Sequence, residues 1–327
     1  MFPSKFFFRG REDLGNGLRA TFSLDSMISI STGELDPQSG GALFENSAWV
    51  ALGKAGIGDV RFGRQNDFNF DDFLITGIDP ATGIAGGMLN FRTGSFGSDL
   101  VGHPGYASGG PFAPITNAQG IPNGMGAIDW DRVGGKRMSS AIKFMSDDFG
   151  GFSGGVMYSM GGVAGDFNNS SGKSASLMYC HGDTRATVVY TVQNWPLINA
   201  GHGGLANLTA GARTRFGGLS VTGLYAQARN TESGARISAL ATGAGYDLTS
   251  AVNVGVAYTY EFGNNLLKNV RVNQVAVQGT HTLSRRTRVY LTSVYQHTNG
   301  AYAAEIGNIV SSGKVQSVTE LGLLTSF

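Results

Sequence analysis

A single cysteine, Cys180, occurs in 327 residues. An internal disulfide is therefore excluded, and so is a metal site built on several thiolates. Charge is scarce at 14%, against roughly 25–35% on an ordinary soluble surface. Something other than water is expected to cover part of the outside. A net charge of +1 offers no polycationic face to nucleic acid. No apolar run reaches the roughly 18 residues that a transmembrane helix needs, and no segment carries a helical period of about 3.6. The opening residues Met1-Phe2-Pro3-Ser4-Lys5 lack the charged stretch and apolar core of a signal peptide.

What is abundant is glycine, with 51 residues. It follows no collagen period and forms no low-complexity block, so it serves turns, bulges and close backbone approach. The dominant pattern has period two. Val252, Val254, Val256, Tyr258, Tyr260 and Phe262 alternate with Asn253, Gly255, Ala257, Thr259 and Glu261. Leu18, Ala20, Phe22, Leu24 and Ile28 alternate with Arg19, Thr21, Ser23, Asp25 and Ser29. Segments of this length suit tilted strands that cross a membrane in roughly 9–11 residues.

Fifteen strands are expected, at 4–9, 17–30, 43–53, 59–65, 136–146, 151–160, 172–181, 184–194, 204–216, 218–229, 235–246, 251–262, 270–283, 286–298 and 315–327. Short turns, such as 12–15, 55–58 and 147–150, alternate with longer loops at 31–42, 66–135, 161–171, 195–203, 230–234, 263–269 and 299–314. Tight turns on one side and long loops on the other mark an outer-membrane β-barrel. All eight prolines avoid strand interiors, and five (Pro80, Pro104, Pro111, Pro114 and Pro122) fall in 66–135. So long a loop is usually functional. Fifteen alternating strands would leave the first and last parallel, whereas bacterial single-chain barrels have an even, antiparallel set. The expectation is an all-β transmembrane antiparallel barrel with fifteen of sixteen strands present, its first strand and signal peptide lost by truncation or a misassigned start. Residues 1–327 then form one domain.

Six short motifs in order resemble the general porins of Gram-negative bacteria, in the β-proteobacterial form. Arg9-Gly10-Arg11-Glu12-Asp13-Leu14-Gly15-Asn16-Gly17-Leu18-Arg19-Ala20 resembles that family's first hairpin, and Ala48-Trp49-Val50-Ala51-Leu52 the following strand. Phe62-Gly63-Arg64-Gln65 resembles the entry to its constriction loop. Ser140-Ala141-Ile142-Lys143-Phe144, Leu283-Ser284-Arg285-Arg286-Thr287-Arg288-Val289-Tyr290 and the terminal Phe327 complete the set. The resemblance implies sixteen strands and a third external loop folded into the pore after the fifth. Here the long segment follows the fourth visible strand, in keeping with one strand missing. Phe7 and Leu324 depart from the family and place bulk on faces assigned to the lumen.

Period two turns Lys5 and Arg9 inward on the first strand, and Arg137 and Lys143 inward on 136–146. Arg64 shares the parity of Val60 and Phe62, so a bulge or the end of the strand would have to re-aim it. The resemblance implies that Arg9 or Lys5, with Arg64 and Arg137, forms the basic wall of a constriction, and inward-facing Lys143 is counted with them. The loop would bring Asp67, Asp71, Asp72 and Asp79 toward it. Opposed charges of this kind set up a transverse field. Alternatively, these arginines simply pair with carboxylates. Tyr158, Tyr225, Tyr258, Tyr260, Tyr290 and Phe327 suit aromatic girdles at the membrane interfaces, and Phe327 has a family-implied role in recognition by the barrel-assembly machinery.

No enzyme is expected. His103, His181, His202, His281 and His297 carry no HExxH or Gly-x-Ser-x-Gly context, and a secreted solenoid needs a fixed repeat that is not there. The expected function is an outer-membrane pore passing small hydrophilic solutes and ions, without cofactor or metal. Its partners would be the surrounding lipid and two further copies in a homotrimer. A substrate-specific channel is the alternative, suggested by Phe68, Phe70 and Phe73 in the long loop.

Overall fold

The computed structural model describes residues 4–30, 32–35, 43–90, 95–102, 137–307 and 309–327, with the backbone alone at 88 and 98. Fourteen long strands follow one another: β1 Lys5–Gly15, β2 Leu18–Met27, β3 Ser47–Lys54, β4 Gly58–Asn66, β5 Arg137–Ser146, β6 Phe152–Ser159, β7 Gly172–His181, β8 Thr184–Asn194, β9 Gly204–Phe216, β10 Leu219–Asn230, β11 Arg236–Asp247, β12 Val252–Gly263, β13 Arg271–Thr282 and β14 Thr287–Thr298. A two-residue ribbon, β15 Glu305–Ile306 and β16 Ile309–Val310, precedes β17 Val315–Thr325. The long strands form one fifteen-stranded sheet in chain order, every neighbour antiparallel, with β17 beside β14. Among the described residues β1 and β17 are its two edges and do not pair with each other.

Burial is the inverse of a soluble protein's. Val50, Leu52, Phe62, Val156, Leu177, Leu240, Leu291 and Leu321 are exposed on one face. Ser174, Thr187, Thr191, Asn207, Thr209, Gln274, Thr292 and Gln296 are buried on the other. Such a face is at home only in hydrocarbon, where a sheet also satisfies its backbone groups between strands. Among the described residues no helix is long and apolar enough to cross a membrane.

The first turn departs from expectation. Glu12, Asp13 and Leu14 belong to β1, and the chain reverses at Asn16-Gly17, both at positive φ (52° and 75°). That is a two-residue hairpin turn of the type Asn-Gly favours. The third strand starts at Ser47, four residues later than expected.

The expected loop 66–135 is described to residue 102, with a gap at 91–94; its remainder, with His103 and four of its prolines, and most of the loop 31–42 lie outside the described residues. Short helical turns at Phe70–Ile75, Pro80–Gly83, Gly87–Asn90 and Gly97–Val101 replace a structureless loop. This segment crosses the inner face of the sheet, which curls around it. Asn69 donates to Thr191 of β8 (3.2 Å), and Thr222 of β10 donates to the Ile78 carbonyl. Gln278 of β13 accepts from Gly86 N (3.3 Å), and Gln274 donates to Asn90 Oδ1 (2.6 Å). Returning, the segment meets Asn230 of β10, whose amide donates to the Leu100 and Val101 carbonyls (3.1 and 3.0 Å).

Apolar contacts fix it in place. Phe68, Phe73 and Ile78 pack with Leu224, Ala226, Ala239 and Ala241, while Ile84 and Ala85 pack with Ala257, Ala276 and Val294. The inner wall here is therefore small and apolar rather than polar. Gly255 is required for the approach, since a Cβ there would stand 2.6 Å from the Ile84 carbonyl oxygen. Gly279 has nothing within 4 Å. Gly255→Val should lower the thermal unfolding midpoint by overpacking worth about 1–3 kcal/mol. Gly279→Val should leave it nearly unchanged, as read by heat-dependent mobility of the folded barrel on a gel.

Candidate functional site

Between the loop and strands β1 to β7 lies a water-accessible cavity of about 730 Å³. Lys5, Arg9, Asp25, Trp49 and Arg61 line one side, and Asp71 and Asp72 face it from the loop. Each wall residue is placed by strand parity. On β1 the set Lys5, Phe7 and Arg9 turns inward, with the Arg9 guanidinium 4.4 Å from the Phe7 ring centre. Arg9 pairs with Asp25 at 3.2 Å, and Ser23 bridges both. On β4 the inward set is Asp59, Arg61, Gly63 and Gln65, and Arg61 stacks over Trp49 of β3 at 4.5 Å.

Arg64 is therefore a correction. A bulge does exist opposite Gly63 and Gln65, but the extra residue lies on β5, where Ser140 takes φ 51°. β4 keeps its parity, and Arg64 stays outside the cavity lining. Its Nε donates to the Glu45 carbonyl and its Nη1 to Ser139 Oγ (2.7 Å). The same bulge shifts β5, so that Met138 and not Arg137 takes the inner face beside Ala141. Arg137 lies outside the cavity lining, with Nη2 3.6 Å from the sulfur of Met27, the register partner of Lys5.

Lys143 does point inward, but it is buried and already engaged. Its Nζ meets Asp71 Oδ2 at 2.8 Å, the Asn66 carbonyl at 3.1 Å and the Phe68 ring at 3.9 Å. It serves as the root clamp of the loop rather than as a wall facing water. Two of the four loop aspartates are structural. Asp67 is buried and accepts from Phe70 N (3.2 Å), and buried Asp79 caps the turn Pro80–Gly83 by accepting from Ala81 N (2.8 Å). Asp71 and Asp72 face the cavity. Burial pushes the Asp72 carboxyl up to about 6, against the opposing pull of Ser176, Lys143 and Thr187.

Parity alone, applied without the expected bulge, points to Arg61 and Trp49. Of the girdle aromatics, Tyr258 is exposed on the outer face, but Tyr290 turns inward and donates to Glu320 (2.7 Å). Leu324 does line a lumenal cavity, with Arg288 and Tyr290. Phe73 of the loop is fully buried against the wall, whereas Phe68 and Phe70 line the cavity.

The profile of the Gram-negative porin family matches residues 1–301. The chain belongs to the Gram-negative porin family. Outer membrane porin protein 32 of Delftia acidovorans is 25% identical over 357 aligned positions, covering 99% of this chain and 84% of that one. Among solved structures, an anion-selective porin from Comamonas acidovorans superposes with a TM-score of 0.71 at 22% identity, over 99% of this chain and 89% of that one. OmpF of Salmonella typhi, in complex with daunomycin, gives a TM-score of 0.62 at 12% identity, over 98% and 89%. This porin is a protein of the outer membrane and forms a water-filled channel for passive diffusion of small hydrophilic solutes and ions.

The root clamp has a measurable weight in this porin. Lys143→Ala removes the partner of Asp71, which keeps the water of the cavity, and should cost about 1.5–3 kcal/mol, the usual worth of a hydrogen bond to a charged group. The check is the loss of heat resistance of the folded porin, together with noisier single-channel current as the loop base loosens.

Proposed function

We propose that the cavity between Lys5, Arg9 and Arg61 on the wall and Asp71 and Asp72 on the loop is the throat of the channel, and that it favours small anions. The observation that carries this reading is the pattern of pairing. Asp25 is tied to Arg9, and Asp71 to Lys143. Lys5 and Arg61 then face Asp72 with an excess of positive charge, in a narrow space where a transverse field acts on ions and dipoles. The anion-selective character named for the Comamonas porin supports the same direction. On this reading the pore transforms no substrate and needs no cofactor or metal. Residues 1–327 act as one barrel domain, with 66–135 as its constriction segment.

The homotrimer belongs to this proposal too. It is supported by the trimer form of Vibrio cholerae OmpT, which superposes with a TM-score of 0.58 at 12% identity, over 98% of this chain and 89% of that one. Membrane lipid covers the outer face, and Phe327, fully exposed beyond β17, is the residue offered to the barrel-assembly machinery.

Reversal potentials across a planar bilayer in a salt gradient test the throat. Arg61→Gln should lower the anion preference, and Arg64→Gln should not. As pH falls through about 6, Asp72 gains a proton and its negative charge disappears. Anion preference should therefore rise on acidification, and Asp72→Asn should hold it at the acid value throughout. A pH-independent reversal potential in the unaltered porin would exclude Asp72 from the throat.

A further inference from the structure

Below the loop, on the side of the short turns, the lumen carries a second basic group that the throat does not use. Arg185 of β8 and Arg213 of β9 are direct register partners. Both share the inner face, Arg185 with Thr187 and Val189, and Arg213 with Thr209 and Gly211. Arg215, two residues on, faces the same way and is paired with Asp247. Like charges placed directly opposite across two strands repel. Among the described residues no carboxylate lies within ion-pair distance of Arg185 or Arg213. Arg213 has only the Gly77 carbonyl on the underside of the loop, at 3.3 Å from Nη1. The loop carboxylate of Asp72 is held one step higher on β8 by Thr187 at 3.3 Å.

We propose that Arg185 and Arg213, with Arg215 beside them, form an anion-binding subsite on the turn side of the loop, taking small oxyanions such as phosphate, sulfate or a carboxylate. Two guanidinium groups from register partners on one face present several N–H donors, and a tetrahedral or planar oxyanion satisfies donors from both at once. The bound anion also removes the repulsion between them. The site continues the path of the throat. Ser176 and Met178 of β7 line the throat cavity, and Cys180 is the next residue on the same face, about 7 Å further along the strand. Cys180 is the register partner of Arg185. This subsite goes beyond the throat proposal, because it involves none of the throat's charges.

The position of Cys180, the chain's one cysteine, supplies the reporter. Refolded porin is treated with anionic sulfonatoethyl methanethiosulfonate or with the cationic trimethylammonioethyl reagent. Each rate is divided by that of a small free thiol in the same buffer. Both reagents see the same thiolate fraction, so their ratio reports the local potential. Two cations within several ångströms should make the anionic reagent faster by roughly tenfold at low salt, the ratio shrinking as salt screens it. Inorganic phosphate, added at fixed ionic strength, should shrink the ratio further by occupying the site. Arg185→Gln, at an exposed position that tolerates change, should bring the ratio toward one, whereas Arg61→Gln should leave it in place. Equal rates in the unaltered porin, a faster cationic reagent, no reaction with either, or a ratio indifferent to phosphate would each overturn the subsite.

Discussion

A backbone crossing hydrocarbon has no water to satisfy its N–H and C=O groups, so this chain bonds them sideways from strand to strand. Everything else follows from that constraint. A strand turns alternate side chains to opposite faces, and here the two faces meet different solvents. Val254, Val256 and Tyr258 of β12 lie exposed on the outside, while Ala257, Thr259 and Glu261 are buried within. One-residue shifts in register would exchange the two sets completely. The low charge of the chain and its exposed leucines and valines, which would be liabilities in water, are what a hydrocarbon solvent selects.

The inner face must then do two different jobs. Around β1 to β7 it lines a throat and carries charge. From β10 to β13 it is a floor of Ala and Gly on which the loop lies, and Ile84 sits close over Gly243 and Gly255. The glycines at 243, 245 and 255 are explained by this contact rather than by turns. Side-chain amides of Gln274, Gln278 and Asn230 take up loop groups that would otherwise be buried without partners. A loop held by both packing and hydrogen bonds stays at a fixed depth.

The strands and their faces were legible in the sequence because period two is repeated and strong. The site was legible only where that parity ran unbroken. Lys5, Arg9 and Lys143 point inward as the alternation indicates. One extra residue on β5 turns the backbone at Arg137 to the other face, and Ser139-Ser140, both small and polar, leave no mark in a hydrophobic pattern; the Arg137 guanidinium nevertheless reaches Met27, the register partner of inward-facing Lys5. Arg64 was misplaced because the bulge was expected on β4. The four loop aspartates look alike in sequence, yet Asp67 and Asp79 are consumed by turns of the backbone, a role that short polar side chains often take. Glu12 and Asp13 read as turn residues, but the Asn16-Gly17 pair beyond them had the stronger claim to the reversal.

Selectivity in such a pore is a matter of sequence along the path as much as of net charge. A solute that binds one deep site leaves slowly, and conduction needs sites that are weak and several. In this porin the cations are divided by the loop. Lys5 and Arg61 stand in the throat and Arg185 and Arg213 beyond it, with Asp72 between the two groups at Thr187. On the proposed reading, the carboxylate would keep the positive regions from merging into one trap. Arg9 and Lys143 contribute less to this profile than their charges suggest, because Asp25 and Asp71 already answer them at 3.2 and 2.8 Å. The field along the pore is thus set by the few charges that the fold leaves partly unanswered.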